Sequence, residues 1–297
     1  MAWAPGAQLL LDASTPAWAD PGRLFVGRRN GFAVVGPEVN AGIAPAPGGE
    51  LIAIAAPLSL YTIRPDGRGL RRLARNVTQV GAWSPDGRRL LFDSGDGYLY
   101  VISRDGRRRR RLALINSNFE SHAVWSPDGR SVAFQGCRPG RDPDLCDAGR
   151  LDLFVVGADG RRLRRITPRS GGDQCRLSWA PASRIVYGTA AATVIATPTG
   201  RTLRSIPGFS CATWSPDGTR LLGFSHRLPA IVRADRGSAK PVARFDARTV
   251  MGEGPAAPVW SPDGTQVAFS RVYGRNGLPL SREYVAVLRT GRVRRLP

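Results

Sequence analysis

Lysine and histidine are nearly missing from this chain: Lys240 stands alone, and His122 and His226 are the only histidines. The two histidines and the four cysteines, Cys137, Cys146, Cys175 and Cys211, have the spacing of no Cys/His zinc motif, so no metal ligand set is assigned. No uninterrupted run of the roughly 18 apolar residues needed to cross a bilayer occurs, which excludes a conventional transmembrane helix. Helical periodicity of useful length is absent too, so the chain is expected to be all-β. The N-terminus lacks the basic start and long apolar stretch of a secretory signal, which leaves either a cytoplasmic chain or a trimmed beginning.

Acidic residues are also scarce, 23 against 43 basic ones, and the net charge of +20 is almost entirely arginine. Such a bias is first a signature of GC-rich coding, and second a field that permits polyanion binding. The basic clusters (Arg68 to Arg75, Arg107 to Arg111, Arg161 to Arg165, Arg201 to Arg204, Arg292 to Arg295) have no interleaved aromatics for base stacking. That argues against sequence-specific nucleic-acid recognition and leaves an anionic polymer or charged edges that block sheet association.

What is abundant is turn chemistry. Trp83-Ser-Pro-Asp-Gly87 recurs at Trp125 to Gly129, Trp214 to Gly218 and Trp260 to Gly264, each time followed by a short apolar strand ending in Phe92, Phe134, Phe224 or Phe269. Proline presets one turn position, aspartate bonds the backbone, and glycine supplies the left-handed φ that closes the hairpin. Weaker copies begin at Trp179, at Trp18 and, without tryptophan, at Pro45, giving starts at 18, 45, 83, 125, 179, 214 and 260. The spacing of about 40 between strong copies is that of a four-stranded propeller blade. Second hairpin signals, such as Arg104-Asp105-Gly106 and Ala158-Asp159-Gly160, give each unit the form strand A, turn, B, loop, C, turn, D.

The predicted architecture is therefore a single β-propeller domain over 1–297, with six complete repeats over 39–297. Residues 1–38 form either an atypical first blade, giving seven blades in all, or an N-terminal appendage to a six-bladed ring. Trp83, Trp125, Trp179, Trp214 and Trp260 are expected to be structural, packed between blades.

The Trp-Ser-Pro-Asp-Gly turn, the Leu/Val-Ala-Phe-like strand, Leu99-Tyr100-Val101-Ile102 and the Asp-Gly-x-x-x-Arg-Arg-Leu pattern together resemble the WD40-like PD40 repeat of TolB-type propellers. The resemblance implies a non-enzymatic scaffold that binds a protein or a cell-envelope component, periplasmic or secreted, with no cofactor. Prolyl-oligopeptidase-type chains carry related propellers but add a hydrolase domain with a Gly-x-Ser-x-Gly elbow. Neither Gly208-Phe209-Ser210-Cys211-Ala212 nor Gly223-Phe224-Ser225-His226-Arg227 completes that elbow.

In such a meander the A–B and C–D turns share one face, and the irregular segments share the other: Gln135 to Gly149, Ser270 to Arg282, Asn116 to His122, Thr167 to Arg176 and Asp246 to Pro258. Variable loops on a rigid scaffold are where recognition resides. The binding-face candidates are Glu120, His122, Asp173, His226, Glu253, Arg138, Arg141 and Arg275. No carboxylate pair among them has diagnostic spacing, so no catalytic residue is assigned; a site at the channel mouth remains the enzymatic alternative. All four cysteines fall on this face. The expected pairs are Cys137 with Cys146, closing the longest insertion, and Cys175 with Cys211, in adjacent blades. Four cysteines permit three connectivities, and disulfides would imply an oxidising compartment.

Overall fold

The computed structural model describes residues 2–4, 8–12, 22–28, 31–39, 42–115, 121–136, 152–167, 177–189, 191–226, 228–242, 258–275 and 278–295. Its strands form seven antiparallel sheets of four, each in simple chain order. The blades span 2–39, 43–75, 77–114, 124–165, 178–207, 209–241 and 259–295. Contacts run from first strand to first strand through blades 1 to 6, the Trp260 indole joins blade 7 to Thr213 of blade 6, and the first strands of blades 1 and 7 also touch, so the ring is closed.

Seven sheets settle the count at seven rather than six. Blade 1 begins with Ala2–Ala4, which contains Trp3, and continues with Gln8–Asp12 and Gly22–Arg28. Its repeat origin is thus Trp3, not Trp18, which lies outside the described residues. The sequence from Trp3 to Leu11 resembles the shortened turn but lacks Ser-Pro-Asp-Gly, and it lies too close to Trp18 for both to begin a blade.

Each strong turn is built around its serine. Ser84, Ser126, Ser215 and Ser261 are at most 4% exposed. In each case Oγ donates to the turn aspartate and accepts the backbone N–H five residues on, at 2.9 Å. The closing glycines 87, 129, 218 and 264 all have φ of 66–67°, which a side chain would strain. The hydrogen bond from Ser215, with the Thr219 amide, holds the Asp217 carboxyl down to about 2. Bonds from Ser84, Ser126 and Ser261 likewise lower Asp86, Asp128 and Asp263.

A carboxyl whose folded pKa lies below its unfolded value of about 3.9 stabilises the fold above that pH, and the contribution is lost as pH falls through the folded value. Denaturant midpoints should therefore hold steady from neutrality to about pH 5 and drop between about pH 4 and 2. Ser215→Ala should shallow that acid limb, and an unchanged limb would show that the turn aspartates do not carry it.

The blades are joined by two sets of side chains. At the inner set, the indole N–H of Trp83, Trp125 and Trp260 donates to Ala44 O, Ala82 O and Thr213 O of the preceding blade at 3.0, 3.0 and 3.3 Å. Arg89, Arg184 and Arg220 reach forward, stacking on Trp125, Trp214 and Trp260 at 4.6–4.9 Å. The same guanidinium groups donate to Gly129 O, Gly218 O and Gly264 O of the next turn. At the outer set, Arg71, Arg110 and Arg204 donate to Asp105 O, Asp159 O and Arg233 O.

The joint between blades 4 and 5 has neither set among the described residues. Ser131 occupies the inner arginine position, and the Trp179 indole nitrogen is buried with no acceptor. Arg165 turns back to Asp152 of its own blade at 3.1 Å. Apolar packing holds this joint, chiefly Leu153, Val155, Ile166, Leu177 and Ile185.

Candidate functional site

The first strands converge on the axis of the ring and enclose a cavity of about 520 Å³. Its walls are Gly42 to Pro47, Gln79 to Trp83, Ser121 to Val124, Leu177 and Thr213, with Pro262 contributed by a turn. Three polar groups adjoin one another in it: Asp93, Ser121 and His122.

Asp93 sits near the end of Arg89–Ser94, the second strand of blade 3, and is 4% exposed. Its Oδ2 accepts the Ser121 backbone N–H at 2.8 Å and its Oδ1 accepts the Ser121 hydroxyl at 2.7 Å. From the other side, the Gln135 N–H donates to Ser121 O at 2.8 Å. Ser121, 3% exposed, is thereby fixed between blades 3 and 4. A buried carboxylate with two donors is far less costly than an unpaired one, so this network is also structural.

His122 follows directly. Its φ is 46°, a left-handed conformation that non-glycine residues rarely hold and that persists only where neighbours over-determine it. Here the pinned Ser121 before it and the buried Ala123 after it do so. The effect is to place a half-buried imidazole on the cavity wall. Cys211 occupies the same repeat position, three residues before its tryptophan, with φ of 51° at a break in strand register between Ser210 and Thr213. Bulges of this kind re-aim a side chain beside a site.

Of the remaining sequence-predicted residues, His226 is exposed on the hairpin after Arg220–Ser225 and does not line the cavity. Arg275 ends the second strand of blade 7, opposite Leu278. Cys211 is disulfide-bonded. Glu120, Asp173, Glu253, Arg138, Arg141, Cys137, Cys146 and Cys175 lie outside the described residues. Among the described residues, no three His, Cys, Asp or Glu side chains gather as a metal ion would require. Sequence reading missed Asp93, Ser121 and Gln79. The available signal was positional: a polar residue follows the strand aromatic in every strong copy, as Asp93, Gln135, Ser225 and Ser270.

No protein-family model and no curated protein sequence matches the chain. Solved structures do match its fold. An oligogalacturonate lyase in complex with manganese aligns with a TM-score of 0.67 at 17% identity, covering 98% of this chain and 86% of the lyase. The chain is a β-propeller. Puromycin hydrolase aligns at 0.68 and 18%, over 99% of this propeller and 52% of the hydrolase, so the propeller spans about half of that protein. A nidogen/laminin complex chain aligns at 0.52 and 14%, over 76% and 89%.

These neighbours overturn the expectation of a non-enzymatic chain, since two of the three are a lyase and a hydrolase. The physical reason is plain: the repeat residues that suggested a scaffold specify turns and packing, and carry no information about chemistry at the axis. Among the described residues of the propeller, no helix is long and apolar enough to cross a membrane.

Proposed function

We propose that the propeller is an enzyme whose site is the axial cavity, with His122 as the proton-transferring group and a small anionic molecule as substrate. The observation that carries this reading is the strained placement of His122 on the wall of a polar-ended cavity, held there by the Asp93–Ser121 pair. An imidazole titrates near neutrality and serves as acid or base there. The cavity volume of about 520 Å³ falls within the range of small-molecule sites.

The net charge of +20 draws anions toward the propeller, and the lyase neighbour is named for an anionic sugar polymer. The resemblance to TolB-type propellers supports the repeat architecture, and the disulfide at Cys211 supports an oxidising compartment.

The test is a screen of uronate oligosaccharides and other small anionic compounds, read by product mass spectrometry, on wild type, His122→Asn and His226→Asn. Turnover lost in the first variant and kept in the second is the expected result. Equal turnover in all three would remove His122 from the chemistry.

A further inference from the structure

Most described arginines whose contacts can be traced are committed to the joints between blades or to stacking, as Arg109 is on Tyr100 at 3.9 Å and Arg111 on Tyr98 at 4.4 Å. One group is different. On the turn face, between blades 2 and 3, a hollow of about 590 Å³ is lined by Arg64, Arg71, Arg88, Arg104 and Arg108. Arg71 is held by Asp105 O at 2.7 Å, and Arg104 pairs with Glu50. The side chains of Arg64, Arg88 and Arg108 have no hydrogen bond or ion pair among the described residues.

Five arginines line the hollow against Asp105 in its wall and Glu50 and Asp86 beside it, which leaves it net positive, and Asp105 is already engaged by the Ser103 hydroxyl and the Arg107 amide. Thr62 and Ser103 complete the polar lining of the hollow, and the Ser103 hydroxyl is already turned to Asp105. The corresponding hollow between blades 5 and 6 shows the contrast: there Arg204 is consumed by Arg233 O and Gly237 O at 2.6 and 2.8 Å, and Asp235 faces it.

We propose that the hollow between blades 2 and 3 binds a tetrahedral dianion, a phosphate or sulfate group, either free or carried on a larger molecule. Guanidinium forks match such oxyanions bidentately, and three uncommitted forks exceed what a single carboxylate would use. The site is separate from the axial cavity, so this inference stands independently of the catalytic reading.

Isothermal titration with inorganic phosphate, sodium sulfate, acetate and heparin tests it. Phosphate and sulfate should each saturate one site, with acetate at least tenfold weaker. Heparin binding tighter than sulfate, with a steeper salt dependence, identifies a sulfated polymer as the source; parity identifies the free ion. The triple variant Arg64→Gln/Arg88→Gln/Arg108→Gln should lose at least tenfold in phosphate affinity while keeping its unfolding midpoint, because those side chains give up no hydrogen bond and only the attraction of Arg88 to the exposed Asp86. The triple variant Arg161→Gln/Arg201→Gln/Arg292→Gln, with the same charge change elsewhere on the rim, should stay within twofold. No saturable binding, or equal losses in the two triples, would overturn the proposal.

Discussion

Turnover by His122→Asn is expected to fall about 10²–10⁴-fold, the usual contribution of a positioned acid or base, while His226→Asn keeps the wild-type rate. Asparagine is the informative replacement. It tolerates the left-handed backbone that His122 adopts at φ 46°, so the fold is retained and the loss reports on the proton carrier. The His226 side chain is exposed on a hairpin outside the cavity, and serves as the control for removing one of only two imidazoles. The pH profile adds a second readout. A wild-type limb that belongs to the imidazole should vanish in His122→Asn, whereas damage confined to packing would lower the rate at every pH and leave that limb in place.

Gly223→Val should lower the thermal unfolding midpoint by about 5–10 °C. Gly223 lies in Arg220–Ser225, opposite the register break at Ser210 to Thr213. A Cβ there would stand 2.5 Å from Ser210 O and 3.0 Å from two atoms of the Phe209 ring. Neither can yield easily: the first is backbone, and Phe209 is 2% exposed in the blade 5–6 core. Overpacking costs about 1–3 kcal/mol and sometimes more, and roughly 2–4 °C accompanies each kcal/mol in a protein of this size. The same push would disturb the bulge that sets the backbone of Cys211. Gly48→Ala is the comparison, since its Cβ would meet only the carboxylate end of Glu50, which can swing away. Equal midpoints for the two variants would mean that the Ser210 backbone is softer than its place in the ring implies.

Blades 3, 4, 6 and 7 are legible in the sequence because their turns constrain chemistry residue by residue: the left-handed glycines, the proline and the aspartate are each there for a local reason. Blade 1 is less so, because Trp3 is followed by a connection too short to carry that signature. His122 can be placed on the correct face from its position before Trp125, but not at the axis, since that depends on a backbone conformation fixed through Ser121 by Asp93, 28 residues before that serine. Composition misleads most for arginine. As a count it reads as a charged field, whereas Arg89 and Arg220 reach partners 40 and 44 residues on in the next blade and act as bonds between sheets. No local pattern distinguishes those from Arg64, Arg88 and Arg108.

Among the described residues, the joint between blades 4 and 5 lacks the fastenings that tie blades 2 to 3, 3 to 4, 5 to 6 and 6 to 7, and is a weak seam beside them. Where only apolar contact resists separation, local opening is cheapest, and amides along Ser178–Ala180 should exchange with deuterium ahead of those along Phe209–Trp214, which border a fastened joint. Comparable protection would mean that apolar contact alone grips as firmly as the fastenings. Leu177 belongs both to the apolar packing of that joint and to the cavity wall. Loosening of the seam would therefore be felt at the chamber, which ties the shape of the cavity to the grip of one pair of blades.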